Sequence, residues 1–405
     1  MLLVDTYLAR QPILDRHHRV WGYEILHRAG PSALRAEVVD GATATAEVLA
    51  GAFAHVDLSD FLGGRRGMVN LPRKLVVERA VMALPPDRIG VEILEDVPAD
   101  PEVIDSLKDL RANGYVVALD DFEVDAGRNA LLAYADLVKI DVVDTEPDGL
   151  IRSAGMLRRM GVTMVAEKVE NDADYRRCVD LGFELFQGYY FARPELVVGR
   201  RMDQGRSVLM AVLAELHRPE VELADVVRAI ELHAPLAYQA MRVLNSAATG
   251  LSRPIDSIRE AVVLLGIKRV RELASLLVLA AHDHKPPELV SMALTRARMC
   301  ERIAISAGLR DPASFFTVGL FSLLDVLTDQ PIWEVVAGLP LSDEVKSALV
   351  DGAGDRGRAL RIAVAYERAD WDWLDDTGLA PRDISRIYLE AIDWAGEMYG
   401  RFRPT

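Results

Sequence analysis

Residues 116–141, VVALDDFEVDAGRNALLAYADLVKID, restrict the fold more than any other part of the chain. Two short runs rich in Val, Leu and Ile, Val116–Leu119 and Leu137–Ile140, are bounded by charge and separated by a helix-length segment. That order is the pattern of a strand, a crossover and a parallel strand. The first run ends in adjacent carboxylates, Asp120 and Asp121. The second carries Lys139 between Val138 and Ile140 and ends at Asp141. An ammonium inside a buried apolar strand is costly unless anions surround it. A helix N-cap would explain the aspartates but not the lysine. Acidic groups at strand ends with a lysine among them point to a site for metal and phosphate.

Similar runs recur through the first half: Tyr7–Ile13, Val20–Leu26, Gly67–Leu71, Gly90–Leu94, Thr163–Ala166 and Glu184–Gln187. Helical patterns fall between most of them, at Ala42–Ala54, Pro101–Asn113, Leu150–Met160 and Asp174–Leu181. Asn113-Gly114, Gly161 and Gly182 stand where C-cap glycines belong. Such alternation predicts a parallel sheet, and eight strands in about two hundred residues favour a closed (β/α)8-type barrel over an open sheet. After Pro194 the alternation gives way to long helical patterns, running from Leu209–Leu216 to Asp383–Tyr399. The expected fold is therefore α/β plus all-α, with a barrel over 1–203 and a helical domain over 204–405. A chain of 405 residues is long enough for two cores.

The net charge of −15 argues against wrapping long nucleic acid, which needs clustered cationic surface. Cys178 and Cys300 are the only cysteines, so a disulfide framework is not expected and a reducing, cytoplasmic setting fits. Asp5 and Arg10 break the N-terminal apolar character, so no signal peptide is expected, and no apolar stretch is long enough to span a bilayer.

In a barrel the chemistry sits where strands end. The polar residues at or near those ends are Glu24, Asn70, Glu92, Asp120, Asp121, Lys139, Asp141, Glu167 and Gln187. Any one alone is compatible with a satisfied core group. Together, that many carboxylates repel one another unless cations lie between them. The set holds carboxylate and amide oxygens without Cys or His, which suits Mg²⁺, Mn²⁺ or Ca²⁺ rather than zinc. Asp120 and Asp121 could bridge two ions about 4 Å apart, the spacing used for in-line displacement at phosphorus. Lys139 could orient or deprotonate the attacking water. Nearby metal would lower its pKa and nearby carboxylates would raise it.

These residues resemble those of EAL domains, the β/α-barrel phosphodiesterases that open cyclic di-GMP to linear pGpG. Gln11-Pro12-Ile13 resembles the family's QPI, and Gly22-Tyr23-Glu24-Ile25-Leu26-His27-Arg28 its GxEALxR signature. Asn70 lies in a VNL segment, and Glu92 with Glu95 lies where the family has ExxE. Asp120-Asp121-Phe122 matches DDF, residues 136–141 match DxxKID, residues 166–170 match AEGVE except at its glycine, and residues 187–194 match QGYxxxxP. The resemblance implies that Glu24, Asn70, Glu92, Asp120, Asp121 and Glu167 hold two Mg²⁺ or Mn²⁺ ions, with Ca²⁺ giving an inhibited form. It implies that Lys139 is the catalytic lysine, Gln187 a helper at the water site and Glu170 an anchor behind it. It further implies that Arg28 clamps a phosphate and Gln11 touches a guanine. A homodimer is a further implication.

Three positions depart from the family. Ile25 replaces an alanine, adding bulk beside Glu24. The DDFGTG loop, which shapes the metal site and dimer contact, is DDFEVDAG here. Lys168 replaces a glycine and brings a cation near Glu167. An alternative to hydrolysis is therefore an inactive barrel that binds cyclic di-GMP or a protein.

In the second half, His282-Asp283 looks like a metal-phosphohydrolase dyad, but His217, His233 and His284 lack convincing ligand spacing. Residues 242–247, 255–258 and 261–266 resemble the HDOD domain instead, a helical signalling relative of those hydrolases without their catalytic histidines. The resemblance implies regulation of the barrel and an unidentified protein partner through this domain. Asn245 reads more simply as a buried helix-bonding residue.

Overall fold

The computed structural model describes residues 6–29, 61–123 and 127–188. It also describes 212–280 apart from 214, 219, 233–235, 238–239, 242–243 and 245–256, and 286–400 apart from 287, 329, 338, 340 and 376. The chain forms two compact units, Met1–Arg193 with Ala365–Arg386, and Pro194–Val364 with Ile387–Thr405.

In the first unit, eight strands close into a barrel in chain order. They are β1 (Thr6–Asp15), β2 (Val20–Ala29), β3 (Arg66–Leu71), β4 (Ile89–Ile93), β5 (Val117–Leu119), β6 (Leu137–Asp141), β7 (Thr163–Glu167) and β8 (Leu185–Gln187). From β2 to β8 each neighbouring pair is parallel. β1 differs from the expected all-parallel sheet: it runs antiparallel to both β2 and β8. A parallel link needs a dozen residues or more, and only residues 16–19 join β1 to β2. Asp15 closes that turn, its Oδ1 accepting from the backbone N–H of His17 (2.8 Å) and Arg19 (2.9 Å).

Helices α1 (Arg73–Val77), α2 (Pro101–Ala112), α3 (Pro147–Met160) and α4 (Asp172–Leu181) lie in the crossovers. α2 and α4 begin at side-chain caps, Asp100 accepting from Val103 N–H and Asn171 from Asp174 N–H. α3 and α4 end on Gly161 (φ +71°) and Gly182 (φ +99°), as their positions in the sequence imply. The β5–β6 crossover departs from expectation: its described part is a 3₁₀ turn at Asn129–Tyr134 rather than an α-helix. Arg128 opens the turn by reaching back to the ends of β4 and β5, which leaves few residues for helix before β6. The helix expected over 42–54 lies outside the described residues.

Side chains alternate in and out along each strand. Ile13, Met68, Ala118, Leu137, Val165 and Leu185 point inward together and plug the barrel. Gly22 pairs with Ile13 and Gly90 with Met68 at this level. A Cβ on Gly90 would lie 2.5 Å from Met68 Sδ, so the absent side chain makes room for the sulfur. Ile25 points the other way from Glu24. It is buried against Gly67, whose missing side chain admits it. Its bulk is therefore not beside the Glu24 carboxylate, contrary to the expectation from sequence.

Beyond residue 212 the described elements are helices. They are α5 (Leu223–Glu231), α6 (Ile258–Leu265), α7 (Ile267–Ala280), α8 (Glu288–Ser306), α9 (Pro312–Phe321), α10 (Leu324–Thr328), α11 (Ile332–Ala337), α12 (Asp343–Asp351), α13 (Gly354–Glu367), α14 (Trp371–Asp375) and α15 (Pro381–Gly400). α9 and α10 are separate helices, parted after Phe321, where Ser322 donates its hydroxyl proton back to Gly319 O (2.7 Å). Gly319 itself lies so close to the α8 backbone at Ala297 that any Cβ would collide. Among the described residues no helix is long and apolar enough to cross a membrane.

Candidate active site at the barrel mouth

The site stands one layer above the apolar plug. Two residues beyond Met68, Ala118, Leu137, Val165 and Leu185 come Asn70, Asp120, Lys139, Glu167 and Gln187. On the reversed β1 the same step leads from Ile13 back to Gln11, which pairs with Glu24. Glu92 follows Gly90 by two and pairs with Asn70. A period of two thus carries the inward direction from the plug to the mouth.

Lys139 lies at the centre with 1% exposure. Its ammonium meets Glu92 Oε2 at 2.7 Å, Asp120 Oδ1 and Glu167 Oε1 at 2.8 Å, and Glu24 Oε2 at 3.2 Å. Glu24 is held further by two amides: Asn70 Nδ2 donates to Oε1 (2.7 Å) and Gln187 Nε2 to Oε2 (2.6 Å). Gln187 Nε2 also lies 2.9 Å from Gln11 Oε1.

Burial pulls the Lys139 pKa down, but the four carboxylates overcome it and hold the pKa well above the ordinary lysine value. With these four carboxylates around it, the lysine is a cation. Burial raises Glu24, yet Lys139 and the two amides bring it below the usual carboxylate value. Glu92 is pushed well up by burial, with Glu24 and Asp120 adding to the effect against Lys139. Burial, with Asp120 and Glu24 adding to it against Lys139, pushes Glu167 up to about 8. Four carboxylates share one ammonium, so the cluster retains protons that a stronger cation would displace.

Among the described residues, no three His, Cys, Asp or Glu side chains leave a point free for a metal ion. The Lys139 ammonium occupies the point on which the carboxylates converge. The surrounding chemistry nevertheless fits a hard cation. Buried Asn70 Oδ1, Glu92 Oε1 and Gln187 Oε1 have no hydrogen-bond donor. Unpartnered oxygens beside excess negative charge are donors waiting for a cation rather than for a proton donor.

Asp121 stands apart from this group. It is exposed, has φ +40°, and burial followed by Asp120 raises its carboxyl pKa. Glu170 is also exposed and does not meet Lys139. Arg28 pairs with Tyr7 along β2, while its side chain, like His282, Asp283, His284, His233 and Asn245, lies outside the described residues. His217 is no ligand. Its ring is buried between Ser275 Oγ (2.8 Å) and Thr317 Oγ1 (3.0 Å).

Arg128 is a site residue that sequence reasoning missed. It is 5% exposed, and its guanidinium donates to the carbonyls of Asp120 (3.0 Å), Ile93 (2.9 Å) and Leu94 (2.9 Å). It ties the ends of β4 and β5 together directly beneath Asp120. No local pattern distinguishes such an arginine from a surface one, because two of its three acceptors, Ile93 and Leu94, lie more than thirty residues away in the chain.

A cavity of about 470 Å³ lies elsewhere, where β7 and β8 begin, and is lined in part by Arg16, His17, Arg158 and Glu184. It belongs to the opposite end of the barrel from the carboxylates.

A family model described as the EAL domain matches residues 5–194, and one described as the HDOD domain matches residues 204–327. The chain is 33% identical over 403 residues to the uncharacterized protein YuxH of Bacillus subtilis, covering 96% of this chain and 98% of that protein. It is 31% identical over 408 residues to the cyclic di-GMP phosphodiesterase CdgJ of Vibrio cholerae, covering 98% of this chain and 94% of that protein. The solved calcium and cyclic di-GMP complex of Klebsiella pneumoniae BlrP1 is 25% identical and covers 47% of this chain and 56% of that one, with a TM-score of 0.40.

Proposed function

The chain belongs to the EAL–HDOD family, and from that membership we propose that its barrel hydrolyses cyclic di-GMP to linear pGpG with divalent metal. The observation that carries this reading is the convergence of Glu24, Glu92, Asp120 and Glu167, from four different strands, on one buried ammonium. Hydrolysis of a phosphodiester adds water at phosphorus and breaks one P–O bond. It needs positive charge at the phosphate oxygens and a placed water.

Glu24, Asn70, Glu92, Asp120 and Glu167 would hold Mg²⁺ or Mn²⁺, with Asp120 and Asp121 serving a second ion. Such ions supply Lewis acidity at phosphate and a more acidic water. Lys139 contributes positive charge and a donor to oxygen beside the attacking water. Gln187 and Asn70 keep Glu24 in one orientation. Gln11 presents an amide at the mouth for a guanine edge, Arg28 takes a phosphate, and Glu170 supports the outer rim. The HDOD domain regulates the barrel and receives a protein partner, and the chain acts in the cytoplasm as a homodimer. Cys178 and Cys300, both buried thiols outside any disulfide, agree with a reducing compartment.

A second reading, binding without turnover, has one observation in its favour: Lys139 already fills the centre of the carboxylates. Incubation with cyclic di-GMP and Mn²⁺, followed by chromatography for pGpG, separates the two. Wild type is expected to yield pGpG, while Glu24→Ala and Lys139→Ala lose about a hundredfold or more in rate. Binding with no product in wild type sinks the enzyme reading. Absence of binding in Ca²⁺ sinks both.

A further inference from the structure

The cavity of about 470 Å³ at the other end of the barrel is lined by no residue of the carboxylate cluster. Reacting groups in a barrel stand where strands end, whereas this cavity opens where β7 and β8 start. Its walls come from the turn after β1 and from the ends of α3 and α4, all within the first unit. The placing of two arginines decides what it would hold.

Arg16 and Arg158 reach one corner, Gly182-Phe183, from separate elements. Arg16 Nε donates to Phe183 O (2.7 Å), and the Arg16 carbonyl accepts from the Tyr175 hydroxyl (2.9 Å). The main chain and Nε are thus held, while both terminal nitrogens stay unbonded among the described residues. Arg158, on the last turn of α3, passes over Gly182. A Cβ there would stand 3.7 Å from Arg158 Cδ and 4.0 Å from its Nη1. Among the described residues neither guanidinium pairs with a carboxylate, whereas Arg73, Arg79 and Arg111 in the same unit each do. Two carboxylates line the cavity. Asp15 is taken up by Arg19 and by the N–H groups of His17 and Arg19. The Glu184 side chain, just before β8, has no bonded partner among the described residues.

Helix C-termini favour cations, which accounts for an arginine near each helix end but not for a shared concavity. The last carbonyls are also capped already. Those of Leu157 and Arg158 accept from Val162 and Gly161, and those of Cys178 and Val179 from Phe183 and Gly182. The arginine ends are therefore left for a ligand.

We propose that this cavity binds a sugar phosphate, free or within a mononucleotide. The terminal nitrogens of Arg16 and Arg158 donate to the phosphate oxygens, for which the planar guanidinium is matched. The Glu184 carboxylate accepts from sugar hydroxyls. The volume is that of a small-molecule site and far exceeds what a bare phosphate ion fills. The site binds rather than reacts, and it does not rest on the divalent-cation reading of the other end.

Isothermal titration calorimetry of the full chain in EDTA tests this with metal kept from the barrel mouth. Ribose 5-phosphate and AMP are each expected to bind once per chain, with inorganic phosphate weaker and in competition. Arg16→Gln and Arg158→Gln should each weaken both esters about tenfold or more, the contribution of one charge-assisted hydrogen bond. Glu184→Ala should narrow the gap between esters and inorganic phosphate by about tenfold. Arg159→Gln, one residue along α3, should bind as wild type does. Tighter AMP assigns the mononucleotide, and equal or weaker AMP the free sugar phosphate. Arg16→Gln also loses the bond to Phe183 O, so Arg158→Gln, on an exposed helical turn, keeps a folding defect from deciding the result. No binding in wild type, unchanged affinity in both arginine variants, or an equal loss in Arg159→Gln overturns the proposal. So does equal affinity for inorganic phosphate and the esters, or a gap unmoved in Glu184→Ala.

Discussion

Lys139 and His217 show two opposite ways of burying a titratable side chain. An ammonium deprived of water survives at Lys139 because four carboxylates replace the solvent, and removing such partners singly leaves uncompensated charge. Among the described residues, His217 has no carboxylate within its hydrogen-bonding shell. Two hydroxyls satisfy the ring, Phe316 and Phe321 pack against it, and burial followed by the Arg271 charge pushes its pKa down to about 3. The folded chain thus keeps this ring neutral, whereas the unfolded chain protonates it near pH 6.5. More protons bind to the unfolded state between those values, so stability falls as pH falls through 6.5 and levels off near 3. Urea unfolding of the helical half should lose about 2 kcal/mol more between pH 7.5 and pH 5 in wild type than in His217→Gln. Equal losses in the two proteins would show that the ring is already charged when folded.

At the level of elements, the barrel converts strand alternation into a stacked site. The apolar layer at Met68, Ala118, Leu137, Val165 and Leu185 fixes the height and direction of the polar layer two residues on. β5, like β8, is a strand of only three residues, and its end must place Asp120. Arg128 reinforces it through carbonyls of both β4 and β5. Arg128→Met keeps an apolar stem but abandons three acceptors, and a loss of about 2–3 kcal/mol is expected in urea denaturation of the barrel. Mn²⁺ affinity should weaken in the same variant, while a substitution at exposed Arg159 on α3 should change neither measurement.

For the molecule as a whole, the barrel unit is not continuous in sequence. Ala365–Arg386 clusters with Met1–Arg193. Within that unit the Tyr366 hydroxyl meets both backbone groups of Leu8 on β1, accepting from N–H at 3.1 Å and lying 2.8 Å from the carbonyl, and it lies 2.8 Å from Ser385 Oγ. β1 is the strand that closes the barrel between β2 and β8. Tyr366→Phe removes these bonds with little change of shape. A cost of about 1–3 kcal/mol to the barrel transition is expected by calorimetry, and an unshifted transition would show that solvent replaces the hydroxyl without loss.

The alternation of apolar runs, the glycine caps and the strand-end carboxylates are local properties, and each is written in a few consecutive residues. They suffice for eight strands, the barrel, the helical second half and the candidate residues Glu24, Asn70, Glu92, Asp120, Lys139, Glu167 and Gln187. The reversal of β1 was also implicit in the short β1–β2 link, although the alternation alone suggests a parallel sheet. Other features depend on partners far away in the chain. Lys139 stays charged because four separate strands close around it, Arg128 becomes buried because β4 offers its carbonyls, and Lys168 turns from Glu167 to Asp141. Burial, charge state and hydrogen-bond satisfaction are properties of assembled neighbours, so only the closed barrel determines them.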